Sequence, residues 1–452
     1  MFIKKSLLAV GLTTTLAFAA SLNWPVSAIA QDKKPKPQVL FTNVNVFDGK
    51  SDTLAEGMSV LVEGNLIKKV GKGVKADANA TVIDGGGRTM VPGMIDTHTH
   101  LSLSLPVGEM QDLPWDEIGV RMVPVAEDFL LRGFTTVRDF CGNSHGLRRA
   151  INAGVIPGPR IVSAGACITP RSGHGDWSGY VTPKGEGHFE KLGMSRIVSG
   201  PDEMRAAIRE EMRRGASFIK IMMGGGLASS YDPIDVTTFS LEEVKAAVDE
   251  TENWGTYVSA HVFTDHGVKL GLEAGMKTFD HTNLASEETY KILGERNIPI
   301  GAQVYFLSQI KGPAAAAFTT PEQRRKAAYM AENGHKIFEY GKKYGVRFGF
   351  GVDLYGDVQA TRQTSEAIVG RREYFSDSEI LKQIYENNVV LLELSGDRLP
   401  YKEGPLGVIK EGAYADLLLV EGNPLEDIGV LADWKNKIDL VMKDGKIYKN
   451  AL

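Results

Sequence analysis

The chain has 452 residues, 43% of them hydrophobic and 24% charged, with a formal net charge of −5. That composition is globular and long enough for two or three domains. The acidic balance, with no basic run interleaved with aromatics, excludes a nucleic-acid footprint.

Taken in chain order, Lys4 and Lys5 precede an apolar run from Ser6 to Ala20, and Ala28-Ile29-Ala30 places small residues before Gln31. This is the charged, apolar and small-residue order of a secretory signal peptide. The run is shorter than the ~20 residues that span a bilayer, and Asn23 and Pro25 interrupt the segment beyond it. Residues 1–30 are therefore expected to be cleaved after Ala30, leaving no stable membrane anchor and a periplasmic or secreted protein. Residues 31–37 (QDKKPKP) read as a solvated linker.

Residues 39–92 alternate apolar and polar positions between Gly, Asn and Asp turns, and the tail repeats that texture in ADLLLVEGNPLEDI and IDLVMKDGKIYKN. Short strands at both ends are expected to pair into one small β-sandwich domain, 31–92 with 403–452. Between them, over 93–402, one rhythm repeats. Eight short apolar or β-branched runs (MIDTHTH, FTTVRDFC, RIVSAGA, FIKIMMG, YVSAHVF, KTFDHTN, PIGAQVYF, RFGFGVDL) alternate with helical patterns. Gly133, Gly215, Gly255, Gly275 and Gly345 each stand just before a strand, as helix C-terminal glycines do. Ser240 with Glu243, and Ser376 with Glu379, predict capping boxes, and Thr320-Pro321 predicts another helix start. The pattern predicts an α/β protein, a (β/α)8 TIM barrel inserted into the β domain. A doubly wound sheet would want a Gly-x-Gly-x-x-Gly turn after an early strand, and none is present. The two cysteines, Cys141 and Cys167, make no disulfide framework and read as small buried hydrophobes. Both fall at the ends of neighbouring predicted strands, which leaves one bridge open.

Barrel chemistry gathers at the C-terminal ends of the strands. His98 and His100 lie two apart and share a strand face. His261 ends YVSAH, His281 lies in FDH, and Asp353 ends FGFGVD. Each alone reads as an ordinary core, surface or capping residue. Together, four of nine histidines fall near the ends of three predicted strands with an aspartate on the last, which is the ligand chemistry of zinc, manganese, cobalt or iron. Lys220 sits inside the apolar strand FIKIMM, where an ammonium is costly to desolvate unless something pairs with it or changes it.

VPGMIDTHTHL, GFTTVRD, IKIMMGGG, SAHVF, FDHTN, GVD and EGAYADLLLVEGNPLEDI together resemble the amidohydrolase superfamily, in its branch of imidazolonepropionase-like proteins and Xaa-Pro dipeptidases (prolidases). The resemblance spans essentially the whole mature chain. It implies two divalent metal ions, His98 and His100 on one, His261 and His281 on the other, with Asp353 a ligand and catalytic proton shuttle. It further implies that Lys220 takes up CO2 to become an N6-carboxylysine bridging both ions. The expected activity is hydrolysis of amide or peptide bonds in dipeptides or N-acyl amino acids by a metal-bound hydroxide. Cyclic amides, lactones and organophosphate-type esters stay open on the same site, as does a noncatalytic metal-binding protein. Homo-oligomerisation stays open.

Candidate substrate residues come from the loops: Arg171 and His174 after the third strand, Tyr231 after the fourth, Gln303 and Tyr305 after the seventh. Arginine can grip a carboxylate and tyrosine can hydrogen-bond a carbonyl. Gly224–Gly226 suggest close backbone approach to a ligand or metal, and lack the Lys-Ser/Thr of a phosphate loop. Arg138 reads as pairing within the barrel. Beyond the eighth strand, ENNVVLLELSGDRLPYKEGPLG lacks the Asn-Pro found there in many relatives, which reads as the mark of a subgroup and weakens the transfer of any particular substrate.

Overall fold

Five strands open the chain: β1 (Gln38–Val46), β2 (Ala55–Glu63), β3 (Leu66–Gly71), β4 (Thr81–Asp84) and β5 (Thr89–Pro92). The central region supplies β6 (Met94–Thr99), β7 (Phe134–Asp139), β8 (Arg160–Ser163), β9 (Cys167–Thr169), β10 (Ser195–Ile197), β11 (Ile219–Met222), β12 (Val258–Thr264), β13 (Phe279–Leu284), β14 (Ile300–Ala302) and β15 (Phe348–Phe350). The chain closes with β16 (Leu417–Val420), β17 (Ile438–Lys443) and β18 (Lys446–Asn450). This computed structural model describes residues 36–229, 231–304 and 320–452. The expected signal peptide and Tyr305 lie outside the described residues.

The two chain ends meet in one eight-stranded sheet, ordered β18-β17-β16-β5-β1-β2-β3 with β4 beside β1. Its seam is the antiparallel pair of β16 and β5, Leu417 opposite Pro92 and Val420 opposite Thr89. Alternation does the sorting, since every second residue of a strand shares a face. Phe41, Val60, Val62, Leu417, Leu419, Leu440 and Met442 accordingly form one buried cluster.

The central strands are parallel and buried, and form the (β/α)8 barrel. Its third strand is broken: β8 pairs with β7, whereas β9 pairs with β11 at Ile168 opposite Ile221. The break runs through Gly165 at φ 78, where a Cβ would stand 2.3 Å from Glu211 Oε2, so only glycine fits. The Ser217 N–H bridges to the Ser163 carbonyl at 2.8 Å and keeps the wall continuous. Cys141 and Cys167 are joined in a disulfide, with Cα atoms 5.0 Å apart. They are therefore not the two free buried hydrophobes preferred from sequence. The break in the third strand sets Cys167 at the start of β9, against the residue just after Phe140 beyond β7.

The helices start and stop where their caps dictate. Gly215, Gly275 and Gly345 close helices in the left-handed region, and Ser240–Glu243, Ser376–Glu379 and Thr320–Gln323 form full capping boxes. No helix among the described residues is long and apolar enough to cross a membrane. Arg160, at the start of β8, donates to Asp416 (2.9 Å) and Asp444 (2.7 Å) and lies 3.8 Å over the Tyr414 ring. Barrel and terminal sheet are thus joined by a buried, fully paired charge.

Barrel closure between first and last strands falls to two side chains. The Thr97 hydroxyl donates to the Phe350 carbonyl (2.9 Å), and Asn388 accepts from the Phe350 N–H (2.8 Å) and donates to the carbonyls of Ile95 (2.8 Å) and Phe350 (2.9 Å). Asn388 comes directly after a π turn, Gln383–Asn387, in the segment that departs from the Asn-Pro pattern. Asn388→Leu leaves buried backbone groups of both strands unpaired, and is expected to cost about 3 kcal/mol in denaturant unfolding. An unchanged transition midpoint would contradict this closing role.

Candidate active site

His98 and His100 stand at the C-terminal end of β6. Asp353 lies three residues past β15 with its backbone left-handed at φ 63, and its N–H donates to the His98 carbonyl at 3.0 Å. That turn delivers the carboxylate to both rings: Asp353 Oδ1 lies 2.8 Å from His100 Nε2 and 3.3 Å from His98 Nε2. Asp353 Oδ2 lies 3.8 Å from His281 Nε2. The His261 and His281 rings are edge-on at 4.4 Å, and His98 and His281 lie 5.2 Å apart. Lys220 is 1% exposed, its Nζ 3.6 Å from the centroid of the Phe140 ring. Burial lowers its pKa to about 7; Asp280 and Asp353 oppose the shift and Arg138 adds to it. All six residues singled out from the sequence meet at one end of the barrel.

The hydrogen bonds on the far side of each ring decide which nitrogen faces inward. His98 Nδ1 donates to Asp280 Oδ1 at 2.9 Å, and His100 Nδ1 faces the Cys141 carbonyl at 3.4 Å. His261 Nε2 donates to the Gly225 carbonyl at 3.0 Å. A carbonyl or carboxylate only accepts, so His98 Nδ1 and His261 Nε2 carry protons, and His100 Nε2 donates to Asp353 Oδ1 at 2.8 Å. His98 Nε2 and His261 Nδ1 are left with lone pairs. The His98 Nε2 lone pair, 3.3 Å from the same Asp353 oxygen, repels it unless a cation lies between them. His281 Nε2 is buried without a hydrogen-bond partner among the described residues. This donor set fits divalent metal. Burial holds His98 and His261 well below the ordinary imidazole pKa and His281 down to about 4, which keeps the rings neutral as ligands must be. For Asp353, burial pushes upward but His98, His100 and His281 outweigh it, and the carboxylate stays ionised.

Asp280 was not legible as a site residue. It is wholly buried, and accepts from Arg138 Nη2 through both oxygens (2.9 and 3.0 Å), from Ser259 (2.9 Å) and from His98. Strand alternation would turn Asp280 and His281 to opposite faces. His281 and Thr282 are left-handed (φ 76 and 58), which breaks the alternation and lets neighbouring residues serve one site. Arg138 also donates to the Thr97 carbonyl (2.6 Å) and the Tyr257 hydroxyl (3.1 Å), the pairing within the barrel expected of it.

The loop candidates divide. His174 stacks on His261 at 4.2 Å, and its Nδ1 lies 2.9 Å from Ser229 Oγ. Gln303 is buried with its side-chain amide 2.9 Å from His98 Nδ1, behind the ring, where only the amide oxygen can face a protonated Nδ1. Arg171 holds its own loop through Ser178 (3.0 Å) and the Thr182 carbonyl (2.6 Å). Tyr231 is half-exposed. The glycines after β11 are not shaped by a ligand: a Cβ on Gly225 would lie 1.9 Å from the Pro233 carbonyl oxygen, and one on Gly226 would lie 2.0 Å from the His174 ring.

A parallel barrel with an imidazole–carboxylate cluster at its C-terminal mouth defines a metal-dependent hydrolase scaffold. The chain belongs to the amidohydrolase family, whose model matches residues 89–383. It is 30% identical over 351 residues to an ochratoxinase of Aspergillus niger, covering 73% of this chain and 68% of that one. Among solved structures, it is similar to a prolidase complexed with N-methylphosphonate-L-proline, with TM-score 0.84 and 32% identity over 91% of this chain and 100% of the other. A Xaa-Pro dipeptidase with methionine bound in its active site superposes with TM-score 0.78 and 27% identity, again over 91% and 100%. These relatives fit the prolidase-like branch, and the chain is a hydrolase of amide or peptide C–N bonds.

Asp280→Asn should weaken metal binding roughly 10–100-fold in chelator competition. It should also cost about 3–5 kcal/mol in unfolding, because Arg138 is left buried without its counter-charge. Unaltered metal affinity would remove Asp280 from the site.

Proposed function

We propose that this is an exported, two-metal amidohydrolase acting on dipeptides or N-acyl amino acids. The carrying observation is the convergence of His98 Nε2, His100 Nε2 and Asp353 Oδ1, all within 4.8 Å of one another, beside His261, His281 and Lys220. His98, His100 and Asp353 would hold one ion and His261 and His281 the other, with Lys220 between them as a carbamate. Two divalent ions, zinc or alternatively manganese, cobalt or iron, would supply Lewis acidity, making water a nucleophile at neutral pH and polarising the scissile carbonyl. Asp353, ionised and aimed at that point, takes the proton from the attacking water and delivers it to the departing amine nitrogen. His174, whose Nδ1 donates to Ser229, leaves Nε2 as an acceptor for an N–H of the substrate, and Tyr231 offers a hydroxyl at the rim. The N-terminal order of Lys4-Lys5, apolar run and Ala28-Ile29-Ala30 supports export.

The similarity to a prolidase complexed with N-methylphosphonate-L-proline supports a small peptide or acyl amino acid as substrate. The direct test is turnover of a dipeptide and N-acyl amino acid panel with added zinc or manganese. Bound metal without turnover of any amide would sink the reading. Asp353→Asn should lower kcat by roughly 10²–10⁴-fold, and full activity in that variant would refute the proton transfer.

Carbamate formation joins the neutral amine nitrogen of Lys220 to CO2 carbon and releases one proton. A pKa near 7 leaves about half the lysine neutral at pH 7, more above it and little at pH 5. Metal-free protein should therefore take up two ions per chain with bicarbonate at pH 8, and fewer when CO2 is scrubbed or the pH is lowered to 5. Lys220→Ala should fall short of two ions regardless of bicarbonate. Full loading of that variant would refute the carbamate.

A further inference from the structure

The helix Pro321–Asn333 packs against β13 and turns one face to the loop after β11. Gln323 and Lys326 are three apart and so neighbours on the helix surface. Gln323 closes the capping box at Thr320 and donates Nε2 to the Ala228 carbonyl at 2.6 Å. Lys326 is 3% exposed, and its Nζ donates to three backbone carbonyls: Gly226 (2.9 Å), Ser229 (2.9 Å) and Asp232 (2.7 Å). An ammonium has three protons, and these three acceptors use all of them. Four carbonyls of the loop after β11 are thus fixed by two side chains of a helix about a hundred residues further along the chain.

That loop bears on the site at two points. The Gly225 carbonyl takes the Nε2 proton of His261, which leaves Nδ1 of that ring for metal. Gly226 carries no side chain because His174 occupies the space, and His174 stacks on His261. His261 is therefore held on one side by the Gly225 carbonyl of this loop and on the other by His174, whose ring fills the space beside Gly226 of the same loop. We propose that Lys326 is a positioning residue for His261, setting the geometry of the second metal site and the His174 subsite through the carbonyls it binds. This rests on the two-metal reading of the site. The role fits the general pattern in which partners of metal-ligating rings set affinity, with one added step: the partner is the Gly225 carbonyl, and the loop that carries it is held by an ammonium bound to the next carbonyl, that of Gly226. Burial lowers the pKa of Lys326, opposed by Asp232 and Glu322.

The test is zinc binding by chelator competition on the full protein, comparing wild type with Lys326→Met and Lys326→Ala. The expected result is two affinities in wild type, one of which falls roughly 10–100-fold in both variants while the other stays within about twofold. Methylammonium should restore the lost affinity in Lys326→Ala, where truncation opens room for a small ammonium among the three carbonyls. A lysine that only stabilises the fold would lower the unfolding midpoint with both affinities retained, or weaken both together without rescue. Either result overturns the proposal. If neither variant folds, Lys326→Arg keeps the charge but cannot converge on three carbonyls, and two unmoved affinities there overturn it equally. Fewer than two ions in wild type defeats the two-metal reading itself, and this proposal with it. Two ions in wild type with unmoved variants defeats the role of Lys326 alone.

Discussion

Arg138 and Asp280 bury a full positive and a full negative charge inside the barrel, and the site is arranged around that pair. An isolated charge at such depth is prohibitive, so each group must use its whole bonding capacity. The guanidinium does so by touching Thr97 of β6, Tyr257 beside β12 and Asp280 of β13. The carboxylate does so by accepting from Arg138, Ser259 and His98. A single ion pair therefore links the first, second, fifth and sixth strands of the barrel and fixes which nitrogen of His98 faces the mouth. The Phe140 ring extends the arrangement: the Arg138 guanidinium lies 4.3 Å and the Lys220 ammonium 3.6 Å from its centroid. Arg138 is thereby near enough to make the protonated form of Lys220 less favourable, while its own charge is neutralised by Asp280.

Backbone strain completes what the ion pair begins. His281, Thr282 and Asp353 all hold left-handed conformations, each costing about 1–3 kcal/mol for a residue with a side chain. Local bonds hold them there. The Thr282 hydroxyl meets Tyr290 and the His281 carbonyl, each at 2.7 Å, and the Asp353 N–H is tied to His98. The return is geometric: a strand that alternates offers one residue in two to the barrel interior, and these turns let the consecutive Asp280 and His281 both reach it.

Much of this was legible in the sequence because it is periodic or punctuated. The β/α rhythm, the glycines after helices and the capping boxes are local signals, and the histidines, Lys220 and Asp353 declared themselves by standing at strand ends. What was hidden depends on departures from periodicity or on long-range approach. Asp280 was masked by the alternation that His281 breaks. The disulfide depended on an interruption of the third strand at Gly165. The glycines after β11 looked shaped for a ligand, but their close neighbours are the Pro233 carbonyl and the His174 ring, which no local pattern reveals. Lys326 sits in an ordinary amphipathic helix and acquires its role only from carbonyls about a hundred residues earlier. Arg171 has the right chemistry for a carboxylate but spends it on Ser178 and Thr182.

These braces bear on how substrate choice and metal binding relate in this barrel. The usual division gives ligands to strands and specificity to loops, so that loops vary while the metal centre persists. Here the loop after the third strand places His174 directly on His261, and the loop after β11 supplies the carbonyl that sets the tautomer of His261. Both loops are internally tied: Asp176 accepts from the Ser172 N–H at 2.8 Å, and Asp232 from Ser229 Oγ at 2.7 Å. A change in either loop that moves His174 or Gly225 moves the His261 ring as well. Variation that leaves that ring undisturbed is thus confined to side chains outside these contacts, of which half-exposed Tyr231 is the clearest. The register of Gly225, Gly226 and His174 belongs to the histidine cluster as much as to the loops that carry it.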